Sequence, residues 1–405
     1  RLEMGEVDEP AQPPPTAPLK PRGPPVDDLP PPPPRKPPSE GRDVPWLQIV
    51  AAVIVGGLAG VIVLGLLSNN DSSIEQVAVS PGTSKAVKGL SNTEKVDSVM
   101  AVGFAGTKAP QIAKTQGGIF VGAGNWTGAA AGLNRAIHAA NNGVEGEIRP
   151  LVIGDQEGGA FRSYPDLPPA EGEFDIGAAD DPAKAETWAK KAGEALSTAG
   201  FDLNLFPVAD VATLDSPVAG RSFGDNPEVD ADMTAAAIRG CEAAGIACAP
   251  AHFPGLGAES QDTASGPATV GLTADQLAQR DLLPFRAAFK AGAPAVVLSH
   301  AFYAAYDPVT PASTSPLVIG DVLRKQFGFK GVAITDDLSL GAIRGGQGAA
   351  DASVQAIASG ADMVLVSDPT DAAAARDALL RAVKKNQIPH ARLDAAVSRV
   401  LELKR

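Results

Sequence analysis

A short apolar run that ends in two carboxylates is the clearest chemical signal in this chain. Residues 331–335 read Gly-Val-Ala-Ile-Thr, and Asp336 and Asp337 follow directly. In a parallel barrel the catalytic groups lie at the carboxyl ends of the strands. The pattern therefore predicts that Asp336 lies at the mouth of a barrel strand.

Other polar side chains directly follow apolar runs of strand length. They are Asp155, Asp210, His252, His300 and Asp368. A carboxylate cluster without a phosphate or metal motif suits glycoside hydrolysis. That reaction needs an anion to trap an oxocarbenium-like centre and an acid to protonate the leaving oxygen. The alternative is that several of these aspartates are ordinary N-caps of the helices that follow.

The elements that must position these groups alternate along the chain. Apolar runs predict eight strands, at residues 99–104, 118–121, 151–154, 201–206, 246–250, 295–299, 331–335 and 363–367. Alanine-rich stretches predict helices that include residues 183–198, 230–243, 274–291 and 349–359. Continuous apolar strands between helices favour a parallel sheet, and eight of them favour an α/β fold of the (β/α)8 TIM-like barrel type. An open doubly wound sheet is the alternative.

The first 93 residues differ in composition from the rest. Residues 1–45 contain 16 of the 36 prolines, which predicts a disordered, proline-rich cytoplasmic tail or, alternatively, a docking segment for a protein partner. Residues 46–67 are long and apolar enough for one transmembrane helix. Basic residues precede this span, so the tail is expected in the cytoplasm and the barrel, residues 94–405, outside the cell membrane. Residues 68–93 are predicted to be a linker.

Composition excludes some classes of partner. A net charge of -13 argues against nucleic acid, because no basic surplus is available for phosphates. Cys241 and Cys248 are the only cysteines, and they could form one disulfide or remain two buried thiols. Histidines and cysteines lack ligand-like spacing, so neither a metal nor another cofactor is predicted.

Several motifs in order resemble glycoside hydrolase family 3, in particular its single-domain β-N-acetylglucosaminidases, over residues 90–405. The motifs are Asp-Gln-Glu-Gly-Gly at 155–159, Arg-Ser-Phe-Gly at 221–224, Ala-His-Phe-Pro-Gly-Leu-Gly at 251–257 and Thr-Asp-Asp-Leu at 335–338. The resemblance implies that Asp336 is the nucleophile of a glycosyl-enzyme intermediate. It also implies that Asp155, Arg221 and His252 contact the sugar.

Departures from the family pattern fall where the chemistry should be. Ala251 and Leu256 replace a Lys and a His, and Arg162 is out of register with the family's arginines. The family's acid/base pair, an Asp and a His, matches Asp262 and Ala264. Asp262 is thus a remnant of the pair, and Glu259 in the same loop is a candidate substitute acid. The chain ends directly after the predicted last barrel helix, so no second domain is expected to supply a glutamate.

These departures lead to two hypotheses of function. The favoured one is a membrane-anchored, catalytically impaired or inactive pseudoenzyme that binds cell-wall glycan or an N-acetylglucosamine-containing sugar, or serves as a partner-binding scaffold. The alternative is an active retaining exo-β-N-acetylglucosaminidase in peptidoglycan turnover. A purely structural anchor would leave the presence of Asp155, Arg221, His252 and Asp336 unexplained.

Overall fold

The computed structural model of the protein describes residues 80–104, 115–123, 132 and 149–405. The predicted tail and the predicted transmembrane span lie outside this set. Within it, no helix is both long and apolar enough to cross a bilayer. Within the predicted linker, Pro81–Gly89 forms a helix and buries Val87 against the barrel domain.

Eight parallel strands form the central sheet. They are β1 (Met100–Gly103), β2 (Gly118–Phe120), β3 (Leu151–Gly154), β4 (Leu203–Asn204), β5 (Ala247–Cys248), β7 (Ala295–Leu298), β9 (Val332–Asp337) and β10 (Met363–Val366). Their order is β5-β4-β3-β2-β1-β10-β9-β7. Each of the eight predicted strands overlaps one of these, although β4 and β5 are only two residues long.

The two ends of the sheet meet beyond β5, which closes the barrel. The Phe253 backbone N–H donates to the Val297 carbonyl at 2.8 Å, and the Val297 N–H donates to the Pro250 carbonyl at 3.0 Å. Phe253 and Leu298 form a parallel bridge there. The predicted parallel barrel is therefore confirmed, and the open doubly wound alternative is wrong.

A second, two-stranded parallel sheet lies outside the barrel sheet and was not predicted. Its strands are β6 (Thr269–Val270) and β8 (Phe302–Tyr303). Each is only two residues long, so neither leaves a recognisable apolar run. β6 follows the loop that begins at His252, and β8 follows β7, so this small sheet holds two loops together at the rim of the barrel.

Helices surround the barrel. The α-helices are α1 (Pro81–Gly89), α2 (Asn92–Ser98), α3 (Glu173–Gly177), α4 (Pro182–Ala199), α5 (Pro227–Ala244), α6 (Ala274–Gln279), α7 (Leu282–Lys290), α8 (Gly341–Arg344), α9 (Gly348–Ser359), α10 (Pro369–Lys384) and α11 (His390–Leu403). Gly159–Phe161 and Ala312–Thr314 are 3₁₀ turns, and Leu317–Gln326 is a π-helix. The long helices α4, α5 and α10 each begin with proline after an Asp or Asn cap, the usual arrangement at a helix start.

The single helix predicted over residues 274–291 is wrong, because the chain breaks into α6 and α7. The break lies at Arg280, whose φ of -128° and ψ of -84° are not helical. Pro284 lacks the N–H that would bond the Arg280 carbonyl, and its ring would clash with that carbonyl in a continuous helix.

A buried ion cluster fixes the amino-terminal end of β9. Asp362, directly before β10, is fully buried and accepts a hydrogen bond from the Ala333 N–H at 3.1 Å. It also pairs with the guanidinium groups of Arg324, Arg392 and Arg399 at 2.5–3.0 Å. Burial would raise the Asp362 pKa, but the three arginines lower it below its ordinary value. The cluster ties β9, the strand that carries Asp336, to the outer helices.

The two cysteines form a disulfide. Cys241 lies in α5 and Cys248 in β5, and their Cα atoms are 6.1 Å apart. The bond joins a barrel helix to the strand that immediately follows it. Of the two states that the sequence leaves open, the structure has the bonded one.

Candidate active site

Asp336 lies at the carboxyl end of β9, where the buried apolar run stops. The Asp337 backbone N–H donates to its Oδ1 at 2.8 Å. Burial alone would raise the Asp336 pKa, but His300, His252, the Asp337 N–H and Arg221 lower it below the ordinary value. Asp336 is therefore held as a carboxylate, the form that can attack or stabilise a cationic carbon.

Asp337, the next residue, has a structural role. Its Oδ1 accepts hydrogen bonds from the N–H groups of Ser339 at 3.0 Å and Ser367 at 2.9 Å. The Ser367 hydroxyl donates to Oδ2. Both oxygens are thus occupied in joining the end of β9 to the segment after β10, which leaves Asp336 as the available acid of the pair.

His300 lies after β7 and is fully buried. Its Nε2 is 3.0 Å from the Asp337 carbonyl, and its Nδ1 is 2.8 Å from the Ser313 hydroxyl. A carbonyl can only accept, so His300 Nε2 donates to it, while Nδ1 is paired with the Ser313 hydroxyl. Burial lowers the His300 pKa, although the charge of Asp336 opposes this shift.

His252 forms a dyad with Asp210. The His252 Nδ1 is 2.8 Å from Asp210 Oδ2, and both residues are buried. Asp210 Oδ1 accepts hydrogen bonds from the backbone N–H groups of His252 at 3.1 Å and Leu256 at 2.7 Å. Burial would lower the His252 pKa, but Asp210 raises it above the ordinary value. The dyad fixes the ring and keeps it basic.

Arg221 is held by Glu157 in a two-point ion pair. The Nε–Oε2 and Nη2–Oε1 distances are 2.9 and 2.6 Å. Burial would lower the Arg221 pKa, but Glu157, Asp336 and Asp210 raise it. The site therefore contains a fixed cation whose orientation is set by the planar guanidinium.

Asp155 follows β3 and lies within range of the charges of Glu157 and Arg221. Burial raises its pKa to about 7; Glu157 adds to the shift, whereas Ser163 and Arg221 oppose it. The Ser163 hydroxyl donates to Asp155 Oδ1. The Arg162 side chain instead donates to the carbonyls of Gly159 at 2.9 Å and Pro165 at 3.1 Å. Arg162 therefore braces its own loop and does not reach Asp155.

Glu259 lies in the loop between His252 and β6. Its side chain is almost covered, at 8% exposure, and neither carboxyl oxygen has a hydrogen-bond partner within the described part of the chain. Burial raises its pKa to about 8. Asp210 and Asp262 add to this shift, whereas His252 and Arg221 oppose it.

Asp262 and Ala264 are placed differently from Glu259. Both are exposed, and Asp262 Oδ1 accepts the Ala264 N–H at 2.8 Å, which makes a local turn. The Ala342 N–H donates a hydrogen bond to the Thr263 carbonyl, and the Gly341 N–H donates one to the Ala264 carbonyl, each at 3.0 Å. The loop is thereby fastened to α8, and Asp262 is a turn residue on its outer side.

The structure brings together four of the six candidate site residues. The positive charge of Arg221 lowers the pKa values of Asp155, His252 and Asp336, so all four residues lie close together. Glu259 lies near this group, because the charges of His252 and Arg221 also lower its pKa. Asp262 faces solvent.

Of the other aspartates singled out in the sequence, Asp368 is an N-cap. Its Oδ1 accepts the N–H groups of Thr370 at 2.8 Å and Asp371 at 3.1 Å. Two residues that shape the site, Glu157 and Ser163, were missed. Glu157 lies within the Asp-Gln-Glu-Gly-Gly motif, which was a usable signal, whereas a lone serine in a loop gave none.

Comparison with known proteins agrees with this geometry. The model of the "Glycosyl hydrolase family 3 N terminal domain" matches residues 92–403. A β-hexosaminidase from Stenotrophomonas maltophilia is 39% identical over 249 residues, which is 58% of this chain and 71% of the relative.

Solved structures of similar proteins share the fold. A family 3 β-N-acetylglucosaminidase from a Paenibacillus species has a TM-score of 0.73 and 32% identity, over 78% of this chain and 62% of that chain. A β-N-acetylhexosaminidase from Beutenbergia cavernae has a TM-score of 0.70 and 31% identity, over 78% of this chain and 98% of that chain. With the family model spanning most of the chain and an ionised aspartate at the mouth of its barrel, this protein belongs to glycosyl hydrolase family 3.

Proposed function

We propose that the barrel is a retaining β-N-acetylglucosaminidase that acts slowly on glycans ending in N-acetylglucosamine. The observation that carries the proposal is the ionised Asp336 at the barrel mouth, surrounded by His252, His300 and Arg221. The names of the similar enzymes, β-hexosaminidase and β-N-acetylglucosaminidase, support the choice of sugar.

The chemistry follows from the charge pattern. Asp336 attacks the anomeric carbon while the bond to the leaving oxygen breaks, and water later releases the sugar from the aspartyl ester. The fixed cation Arg221 and the basic His252 are hydrogen-bond donors suited to sugar hydroxyls. Asp155 is a matching acceptor when ionised, so binding is expected to weaken as the pH falls through about 7.

The rate is expected to be low because the family's acid/base pair is incomplete. Ala264 has no proton to transfer, and Asp262 is exposed and occupied by the Ala264 N–H. Loss of a positioned acid or base typically costs roughly 10²- to 10⁴-fold. The same observation favours a second candidate function, a pseudoenzyme that binds cell-wall glycan or a partner protein without cleaving the glycan.

Turnover of an activated aryl N-acetylglucosaminide distinguishes the two candidates. The full chain should hydrolyse the 2,4-dinitrophenyl glycoside, because this leaving group departs without protonation, and Asp336→Asn should abolish the reaction. Saturable binding of N-acetylglucosamine without any Asp336-dependent turnover would favour the pseudoenzyme. Absence of both binding and turnover would reject the hydrolase and the glycan-binding pseudoenzyme.

We propose separately that residues 46–67 anchor the protein in the cell membrane, with the barrel outside and the proline-rich tail in the cytoplasm, where it is available to a protein partner. The support is the length of the apolar span and the basic residues before it. Protease added to spheroplasts should digest the barrel and spare the tail; protection of the barrel would contradict this orientation.

A further inference from the structure

We propose that Glu259 is the proton donor and acceptor of this barrel, in place of the imidazole that Ala264 cannot provide. The inference rests on the proposed function and names the group that protonates the leaving oxygen. It depends on the position of Glu259, on the absence of hydrogen-bond partners for its carboxyl oxygens among the described residues, and on His252 and Arg221, whose charges act on both Glu259 and Asp336.

The loop that carries Glu259 is tightly fixed against the barrel. Gly255 has a φ of +119°, and a Cβ there would lie 2.5 Å from the Cβ of Asp281. A Cβ on Gly257 would lie 1.9 Å from the Val211 carbonyl oxygen. Only glycine permits this close approach, and the resulting backbone path leads from His252 to Glu259 along the barrel rim.

The backbone of Glu259 is held on both sides. Its N–H donates to the Leu256 carbonyl at 3.0 Å, and Glu259 forms an antiparallel bridge with Val270, which is fully buried in β6. The side chain therefore starts from a fixed point. A catalytic acid needs this kind of support, because its proton must reach a defined oxygen.

The carboxyl group of Glu259 is in the state that a general acid requires. It is buried, and neither oxygen has a donor among the residues that the structure describes. An unpaired buried carboxyl is favoured in its neutral form, and its pKa of about 8 places the proton on it at neutral pH. A pKa near the working pH is also the optimum for proton transfer.

Glu259 and Asp336 share charged neighbours, but their pKa values are shifted in opposite directions. The charges of His252 and Arg221 lower the pKa values of both carboxyls. Both carboxyls therefore lie near these two residues. The pKa of Asp336 is lowered, whereas that of Glu259 is raised. Two carboxyls whose environments separate their pKa values in this way provide one nucleophile and one acid.

The neighbouring carboxyls are less suited to the role. Asp210 is fully buried and both of its oxygens accept hydrogen bonds, two of them from backbone N–H groups. Asp262 is exposed and occupied in a turn. Asp155 already accepts the Ser163 hydroxyl. Glu259 is free of all these constraints.

The two steps balance in protons and bonds. In the first, Asp336 forms a bond to the anomeric carbon, the bond from that carbon to the leaving oxygen breaks, and Glu259 gives its proton to that oxygen. In the second, the Glu259 carboxylate takes a proton from water, the water oxygen bonds to the anomeric carbon, and the bond to Asp336 breaks. Glu259 ends protonated, as it began.

The test compares Glu259→Gln with the wild type on two substrates. On the N-acetylglucosamine β-1,4 disaccharide, the variant should lose roughly 10²- to 10⁴-fold in kcat/KM. On the 2,4-dinitrophenyl glycoside, the first step should change little, because no proton is needed. Azide needs no base to attack the glycosyl-enzyme intermediate. Added azide should therefore raise the variant's steady-state rate on the dinitrophenyl glycoside and yield a β-glycosyl azide.

Glu242→Gln is the matched control, since it makes the same change at an exposed carboxyl of α5, outside the site. It should retain disaccharide turnover within about twofold and give no azide product, given that exposed substitutions have small effects. The wild-type pH profile should fall on its basic side near the Glu259 pKa of about 8. Should Glu259→Gln fail to fold, Glu259→Asp and this profile provide the test.

The outcomes separate the inference from the proposed function. Asp336-dependent turnover that Glu259→Gln leaves intact on the disaccharide, with no azide product, would overturn the role of Glu259 alone. A wild type without Asp336-dependent turnover of even the activated substrate would overturn the proposed function and the inference with it. Loss of disaccharide activity together with azide rescue would establish both.

Discussion

Replacement of Glu259 by Gln should change how the stability of the fold depends on pH. The pKa of this carboxyl is raised from 4.5 to about 8 in the folded state. Between these values the folded protein holds a proton that the unfolded chain releases, so stability is highest at low pH and falls as the pH rises through about 8. At 1.36 kcal/mol per pKa unit, the loss approaches about 5 kcal/mol, an upper bound because water near the carboxyl reduces it.

Urea unfolding of wild type and Glu259→Gln at several pH values between about 5 and 9 measures this effect. Glutamine resembles the protonated acid, so the variant should match the wild type at low pH and exceed its stability at high pH by a few kcal/mol. Other titrating groups, such as Asp155, are common to both proteins and cancel in the difference. A difference that stays constant across this range would refute the reasoning, since it would mean that Glu259 has an ordinary pKa.

Further predictions concern the nucleophile, the ion cluster and the sugar-binding acid. Asp336→Asn should reduce turnover of the dinitrophenyl glycoside by more than about 10³-fold without lowering the melting temperature, as rate assays and thermal unfolding would show. Asp362→Asn should destabilise the fold by about 3–5 kcal/mol in urea unfolding, because it removes the buried carboxylate with which Arg324, Arg392 and Arg399 all pair. Ser163→Ala removes the hydroxyl that lowers the Asp155 pKa, so the pH midpoint of N-acetylglucosamine binding, measured by calorimetry, should move upward from about 7.

The barrel could be predicted from the sequence because its signals are local. Each strand is a short apolar run, and the helices α4, α5 and α10 begin at Asp or Asn followed by proline. The break between α6 and α7 was missed because the apolar stripe continues across it, and only Pro284 indicated it. The β6–β8 pair depends on contacts between two distant loops, which the sequence does not show.

The site was predictable in its residue types and less so in its pairings. Asp336 stood out because an acid ends an apolar strand. The partnership of His252 with Asp210 joins residues 42 positions apart, and that of Arg221 with Glu157 spans 64. Such pairings arise from the closure of the barrel, so no spacing in the chain reveals them. The solvent-facing position of Asp262 likewise depends on how its loop is fastened.

The fastening of residues 263 and 264 to α8 also constrains how this protein can evolve. A Cβ on Gly341 would lie 2.6 Å from the backbone of Ser265, so a side chain at Gly341 would push the loop away from the segment that follows Asp336. Insertions near Ala264 and substitutions at Gly341 are therefore expected to arise together or not at all. A histidine at position 264 would keep this anchor, because the hydrogen bonds to α8 use backbone carbonyls, and its ring would lie on the exposed side of the loop.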